Sequence, residues 1–288
     1  MSQSVIQQLI DVQRQHGMAI HPCLGTNMLS YSNVKTFIKL CREVLFPGYF
    51  GDPLRPDHDL EQYLSIRLGK IKPLLADLSL AAFCFNCKDN SISNCINKPK
   101  SISIGEEFLG ALPAINQLLL SDVAAIEKID PAAKSADEII FSYPGLRATI
   151  SHRIAHQLTL QQVPLVPRMI SEMASSDTGI DIHPATPIGK RFAIDHGTGT
   201  VIGGNAIIGD NVTIYQGVTL GAKSFDTDAT GKALDVPRHP IIEDDVTIYA
   251  GAKVMGRITI GRGSIIGGNV WLTESVPPYS KILRTDMM

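Results

Sequence analysis

From Ile182 to Val276 an aliphatic side chain returns at almost every sixth position. The uninterrupted half reads IEDDVT, IYAGAK, VMGRIT, IGRGSI, IGGNVW and LTESVP, starting at Ile242, Ile248, Val254, Ile260, Ile266 and Leu272. Its fifth positions, Val246, Ala252, Ile258, Ser264, Val270 and Val276, are all small or β-branched. The earlier half starts units at Ile182, Ile188, Ile194, Ile202, Ile208, Ile214 and Leu220, and slips by two residues between Ile194 and Ile202. An amphipathic helix repeats at 3.6 and a half-buried strand at 2.0, so neither explains a period of six. A hexapeptide β-helix does: three short strands close a triangular coil, the recurring aliphatic points inward, and successive coils pair through parallel ladders.

Ahead of this stretch the hexad is absent and the spacing is helical. Apolar residues fall at helical intervals in Val5/Ile6/Leu9/Ile10 and in Val34/Phe37/Ile38/Leu40/Cys41/Val44/Leu45. A segment from Asp57 carries Leu60, Leu64, Leu68, Ile71, Leu75 and Leu78 on one side, with Pro73 expected to kink it. Lys88 to Ser103 is polar and Asn/Ser-rich, which predicts a connector. Helices follow over Glu106 to Lys128, broken by Asp130-Pro131, and over Pro144 to Leu160. The fold class is α+β. Residues 1–180 form an N-terminal helical bundle, and residues 181–288 form a parallel β-helix of hexapeptide repeats with an excursion loop at 221–241 and a short C-terminal tail. The bundle is expected to cover one end of the coil, where ladder groups would otherwise be unpaired. At the other end Pro277-Pro278 is expected to stop the ladder.

Composition narrows the function classes. Lys plus Arg total 26 against 28 Asp plus Glu, a net charge of -2, with no basic run of the kind a nucleic-acid or polybasic membrane surface needs. No apolar run approaches the roughly 18 residues of a membrane span. The first residues lack the apolar core of a secretion signal, and five cysteines, an odd count, do not make a disulfide framework, so a cytoplasmic protein is expected. Cys84, Cys87 and Cys95 have C-x2-C-x7-C spacing but no suitably spaced fourth ligand, and are read as plain thiols with no metal expected. His152 and His156, four apart on one helix face, lack the glutamate of a zinc-protease motif and are read as packing or capping residues.

The histidines of the repeat differ. Asp195-His196 stands where the hexad otherwise takes glycine or small residues, and Asp181 lies 15 residues earlier, close to one coil. Between Leu220 and Ile242 the spacing of 22 is not a multiple of six, so the chain leaves the prism and returns through Arg238-His239. A base, a group that orients it and a cationic clamp suit an enzyme. Solvated charges on a scaffold are the alternative.

With DIHPATPIG, AIDHGTG, YQGVTLG and VPRHP in order, preceded by DPAA at Asp130 and YPGLRATISHRIAH at Tyr143, the chain resembles bacterial-type serine acetyltransferases over about residues 105 to 278. The resemblance implies a left-handed coil and acetyl transfer from acetyl-CoA to the hydroxyl of L-serine, the first step of cysteine biosynthesis. It makes His196 the general base, Asp181 its partner, Asp130 and Asp195 the holders of the serine ammonium, Arg238 the binder of its carboxylate, and His239 a further pocket residue. It puts coenzyme A along Gly221, Ala222, Lys223, Ala250 and Gly268, with Lys223, Lys253, Arg257 and Arg262 as candidate phosphate partners. It also implies inhibition by L-cysteine, a trimer or hexamer with the active site between subunits, and helical dimer contacts in the first hundred residues. The chain stops ten residues after Pro278, without the family's longer tail whose terminal isoleucine enters cysteine synthase, which speaks against a complex with that enzyme. Three rivals remain. Another hexapeptide acyltransferase would not need Asp130 and Arg238. A γ-type carbonic anhydrase needs two histidines five apart on one chain, whereas His183, His196 and His239 are separated by 13 and 43 residues. A scaffold would have no use for the Asp195-His196 pair.

Overall fold

A computed structural model of the chain describes residues 2–15, 29–53, 59–84, 97–224, 227–231, 234 and 236–283. Seven helices precede thirteen short strands in these residues. The helices are α1 (Ser2–Gln15), α2 (Tyr31–Leu45), α3 (Leu60–Cys84), α4 (Lys98–Ile129), α5 (Ala136–Ser142), α6 (Pro144–Leu160) and α7 (Val166–Thr178). The strands are β1 (Asp181–Ile182), β2 (Ala193–Asp195), β3 (Val201–Ile202), β4 (Ile207–Ile208), β5 (Thr213–Tyr215), β6 (Thr219–Gly221), β7 (Ile241–Ile242), β8 (Thr247–Ile248), β9 (Lys253–Met255), β10 (Thr259–Ile260), β11 (Ile265–Ile266), β12 (Trp271–Leu272) and β13 (Lys281–Ile282).

The strands form three parallel sheets, β1-β3-β6-β9-β12, β4-β7-β10 and β2-β5-β8-β11-β13, visited in rotation by the chain. Register stacks the hexad aliphatics into internal columns. Ile182, Ile202, Leu220, Val254 and Leu272 form one, and Ile194, Ile214, Ile248, Ile266 and Ile282 form another. A third runs Ile188, Ile208, Ile242, Ile260 and Val276. Burying this aliphatic core is what drives the coil closed, at about 25 cal/mol per Å² of apolar surface. The two-residue slip is absorbed at one corner, where His196, Gly197 and Gly199 all take positive φ. The second irregularity is the excursion between β6 and β7, and the column resumes in register on its far side.

Helices α2, α3, α4, α6 and α7 enclose a second core built on Phe37, Phe108, Leu119, Leu146 and Ile150. By length and composition α4 could cross a membrane, but its buried face belongs to this core. Helical side chains supply the partners that the first coil lacks. Arg153 donates to both carboxylate oxygens of Asp122 at 2.6 and 2.9 Å, and to the carbonyls of Ile188 (3.3 Å) and Gly189 (2.8 Å). The amide of Phe192 donates to Asp122 at 2.9 Å, and the Ser171 hydroxyl to the Ile182 carbonyl at 2.7 Å. Buried ladder groups must find partners, and here a buried ion pair and a serine provide them. Gly145 brings α6 flush against β2: a Cβ there would lie 2.2 Å from the Ile194 carbonyl oxygen.

Two expectations change. The connector expected up to Ser103 is already helix from Lys98, with proline in the first turn and Ser101 and Ser103 returning their hydroxyls to the carbonyls of Lys98 and Lys100. Its residues 88–96 lie outside the described ones. Helix α3 runs from Leu60 to Cys84 with Pro73 inside it. The ladder also continues past Pro277-Pro278, because these prolines occupy a corner: Tyr279 turns there with φ 63°, and β13 then pairs with β11.

Candidate active site

The candidate residues fall at the two edges of the β1-β3-β6-β9-β12 sheet, since every strand of that sheet is entered through one corner and left through another. The entry edge carries His196. Its positive φ, 55°, lifts the side chain out of the prism, and the ring is 74% exposed. Nε2 lies 3.9 Å from an oxygen of Asp195, whose own side chain is largely buried at the end of β2. Asp130, directly after α4, accepts from the Tyr143 hydroxyl at 2.5 Å and from the Ala132 amide at 2.8 Å. Those bonds hold the Asp130 pKa below the usual carboxylate value, and the His196 ring is near enough to add to the effect. The same hydrogen bond, with desolvation and the charges of Asp130 and Asp195, pushes the Tyr143 phenol up to about 12. Tyr215, stacked on Tyr249 with ring centroids 5.0 Å apart, closes this group, its pKa raised by burial and by Asp195. The edge therefore presents an exposed imidazole beside two carboxylates, one of them locked in place. It can take a proton and hold a cation.

Asp181 begins β1 on the adjoining backbone. The turn after His196 is bonded onto it, Gly199 N to Gly179 O at 2.7 Å and Asp181 N to Thr200 O at 2.9 Å. No hydrogen bond joins Asp181 to His196 among the described residues, and Asp181 Oδ1 is buried without a partner. A buried carboxylate oxygen left unpaired is costly, and in native structures it calls for an explanation.

The exit edge is cationic and is organised by Asn205. Its Oδ1 accepts from the backbone amides of Arg238 (2.9 Å) and His239 (3.1 Å) and lies 2.5 Å from His239 Nδ1. An amide oxygen only accepts, so this short contact favours a proton on Nδ1 and a basic Nε2, although the Asn205 backbone amide also points at Nδ1 from 3.4 Å. The His239 ring lies on Gly203, where a Cβ would sit 2.0 Å from the ring, so only glycine fits. Burial, then the charges of Arg238, His183 and Arg257, lowers the His239 pKa. His183 is lowered by burial and by Arg168. Arg257 pins this corner by donating to the carbonyls of Asn205 (2.6 Å) and His239 (2.9 Å). Lys223, Arg238 and Arg257 border a cavity of about 260 Å³, and among its described lining residues there is no carboxylate. It is suited to an anion.

The residues expected along a coenzyme divide between the edges. Gly221 and Lys223 are at the exit edge, where a Cβ on Gly221 would be 3.0 Å from Met255. Ala250 and Gly268 are neighbours on the entry edge, a Cβ on Gly268 falling 3.2 Å from the Ala250 carbonyl. Of the four basic candidates, Lys253 is tied to Gly217 O (2.7 Å) and Thr219 (2.9 Å), and Arg262 to Asp244 (2.6 Å). Lys223 and Arg257 face the cavity. Sequence reasoning assigned no role to Tyr143 or Asn205. Tyr143 stood inside a quoted motif, but nothing in its local pattern signals a bond to Asp130. His152 is buried with its ring stacked on His156, whose Nδ1 meets the Pro184 carbonyl at 2.8 Å. Cys84 is buried, while Cys87 and Cys95 lie outside the described residues.

A prism of stacked hexads with a histidine raised at one corner is the form of a hexapeptide-repeat transferase, and the bacterial transferase hexapeptide (six repeats) family model matches residues 239–274. The plasmid serine acetyltransferase of Synechococcus elongatus is 48% identical over 250 residues, covering 85% of this chain and 78% of that protein. That of Bacillus subtilis is 46% identical over 167 residues, 58% of this chain and 73% of its own. The crystal structure of Entamoeba histolytica serine acetyltransferase 1 in complex with L-cysteine superposes with a TM-score of 0.75 at 34% identity, covering 86% of each chain. Neisseria gonorrhoeae serine acetyltransferase in complex with serine gives 0.56 at 26%, covering 85% of this chain and 93% of that one. The chain belongs to the serine acetyltransferase family.

Proposed function

We propose that the chain transfers the acetyl group of acetyl-CoA to the hydroxyl of L-serine, giving O-acetyl-L-serine and CoA, the first step of cysteine biosynthesis, in the cytoplasm. The observation that carries the catalytic reading is the slip that raises His196 from a buried coil beside Asp195 and Asp130. Serine is a zwitterion with a weakly nucleophilic hydroxyl. Its ammonium suits the two carboxylates, and its carboxylate suits the planar guanidinium of Arg238. His196 takes the hydroxyl proton as the oxygen attacks the thioester carbonyl. The tetrahedral oxyanion collapses with expulsion of the CoA thiolate, to which the imidazolium returns the proton. Asp181, with its buried unpaired oxygen, is the acceptor that would fix the His196 tautomer once the ring turns inward. His239, neutral with Nε2 basic, lines the pocket beside Arg238.

Ammonium holders and carboxylate binder stand at opposite edges of one sheet, so we read the working site as lying between neighbouring copies, the entry edge of one prism meeting the exit edge of the next in a trimer or a hexamer. Left-handed winding belongs to this reading, since it sets which edge a neighbour presents. The coenzyme's phosphates go to Lys223 and Arg257, and its body along Gly221, Ala222, Ala250 and Gly268. L-Cysteine, which differs from serine by one atom, would occupy the same pocket as an inhibitor. The solved relatives with cysteine and with serine support this.

CoA release followed with a thiol reagent tests the reading. Release should depend on L-serine, and cysteine should compete with it. Release without serine dependence would move the assignment to another acceptor.

A further inference from the structure

We propose that a cavity in the helical domain, between α2, α6 and α7, binds a small amphipathic organic anion, with Arg42, Lys35 and Lys39 meeting its charge. The cavity holds about 460 Å³ and shares no residue with either edge of the candidate active site. One wall is apolar, made by Ile38, Phe50, Ile170 and Met173. The other carries three cations, with Asp177 the single carboxylate among the described lining residues. A slot with an apolar floor and an excess of positive charge favours a carboxylate or phosphate on an aliphatic or aromatic body.

Arg42 makes this more than a patch of surface lysines. Its guanidinium donates to Ser151 Oγ at 3.1 Å, while Nε is buried and has no hydrogen-bond partner. Among the described residues no carboxylate comes within ion-pair distance of it. Arg147 lies near enough to repel it, and its Nε is also buried and unbonded. Burial lowers the Arg42 pKa, Asp177 offsets part of that, and Arg147 adds to it. Two buried guanidinium N–H groups without acceptors are costly in a finished fold, and an anion entering this cavity would satisfy the one on Arg42. Guanidinium geometry favours a planar or tetrahedral oxyanion over a point charge. Lys35 and Lys39 extend from the solvent side of α2 and add attraction; Lys39 is 68% exposed, with its Nζ 3.9 Å from Glu43, a carboxylate already bonded by Arg67 at 2.6 Å.

Calorimetric titration with phenyl phosphate, an aromatic dianion, tests the site on the full chain, with benzyl alcohol as the neutral counterpart. Saturable uptake of one phenyl phosphate at this site is expected. It should weaken at least tenfold in Lys35→Gln/Lys39→Gln and in Arg42→Gln, and persist in Lys223→Gln/Arg257→Gln, which removes the other cationic cavity. Arg42 contributes to packing, so the double lysine variant decides the matter if Arg42→Gln does not fold. Three results would overturn the proposal: no saturable binding of phenyl phosphate, binding unchanged in the lysine variant, or equal binding of benzyl alcohol. Any of them would leave water as the partner of Arg42.

Discussion

The two edges of the β1-β3-β6-β9-β12 sheet share a scaffold and differ in how their chemistry is put there. At the entry edge the prism contributes His196 and Asp195 through a two-residue slip, and the helical domain brings Asp130 and Tyr143 to meet them. The exit edge is held by the prism itself, with Arg168 of α7 only adding charge beside His183. A nineteen-residue departure between β6 and β7 returns through Arg238 and His239, and Asn205 clamps both from the coil below. One edge depends on docking between two cores, the other on a single side chain. A strict repeat can thus carry a site only where it is broken, and the kind of break decides what supports the site.

The largest effect should come from breaking the entry edge at its base. His196→Ala removes an exposed side chain, so the fold should survive, and kcat should fall on the order of 10²–10⁴-fold. Less than a tenfold loss, measured by serine-dependent CoA release, would remove His196 as base. Arg238→Ala should act mainly on serine KM. Because the edges are proposed to meet across copies, co-expressed His196→Ala and Arg238→Ala chains should recover, at low serine, activity that neither has alone. Failure to recover any, with mixed assemblies present, would mean that each chain completes its own site.

Asp122→Ala strikes the docking instead. It leaves Arg153 buried and unpaired, which costs about 3–5 kcal/mol, and releases the Phe192 amide and the first-coil contacts. Urea unfolding should show that loss. Serine KM should rise in the surviving fold because Asp130 is no longer held near His196, whereas coenzyme binding at the exit edge should change little. A stability loss under about 1 kcal/mol would show that the prism does not need this anchor.

How much of this was legible beforehand follows the same division. The hexad predicted the three internal columns as far as Val276, and both departures from it fall at the candidate site, because the period reports directly on what is buried. The helical domain was legible only as helices. Asp122 and Arg153 are separated by 31 residues, and their pairing is a fact of docking, invisible to local spacing. Helix α5 is too short to leave a periodic signal, whereas α7 carries Val166, Ile170, Met173 and Ala174 at helical spacing and was readable, although sequence reasoning assigned no helix there. The Tyr143 bond to Asp130 crosses 13 residues and α5. Proline at 277 and 278 was legible as a ladder-breaker but not as a corner, since the corner is defined by the coils on either side.

Tyr143→Phe gives a smaller and more selective effect. Loss of the hydroxyl removes one of two bonds that orient Asp130, and a hydrogen bond to a charged group contributes about 1.5–3 kcal/mol at most. Serine KM should rise several-fold to about a hundredfold while coenzyme KM and thermal stability stay close to wild type. Equal changes in both KM values would make Tyr143 a general packing residue.

The smallest effect separates the edges by pH. His183 and His239 have pKa values lowered by burial and by neighbouring cations, and His152, fully buried and coupled to His183, is lowered further. For a lowered histidine the unfolded chain binds the proton first, so stability is intact above the unfolded value of about 6.5 and declines as pH falls towards the folded value. Asp130 is also lowered, and by the same sign rule its contribution persists until pH drops below the unfolded carboxylate value of about 3.9. Between pH 6.5 and 5 the cost of protonating His183 and His239 therefore falls on an exit edge already crowded by Arg238, Arg257 and Arg168, while Asp130 at the entry edge stays ionised. Hydrogen–deuterium exchange, corrected for the intrinsic pH dependence, should show protection falling first in segments 200–206 and 237–242, with segment 128–145 unchanged. Earlier opening of segment 128–145 would reverse the order and show that docking, and not the cationic corner, is the acid-labile part.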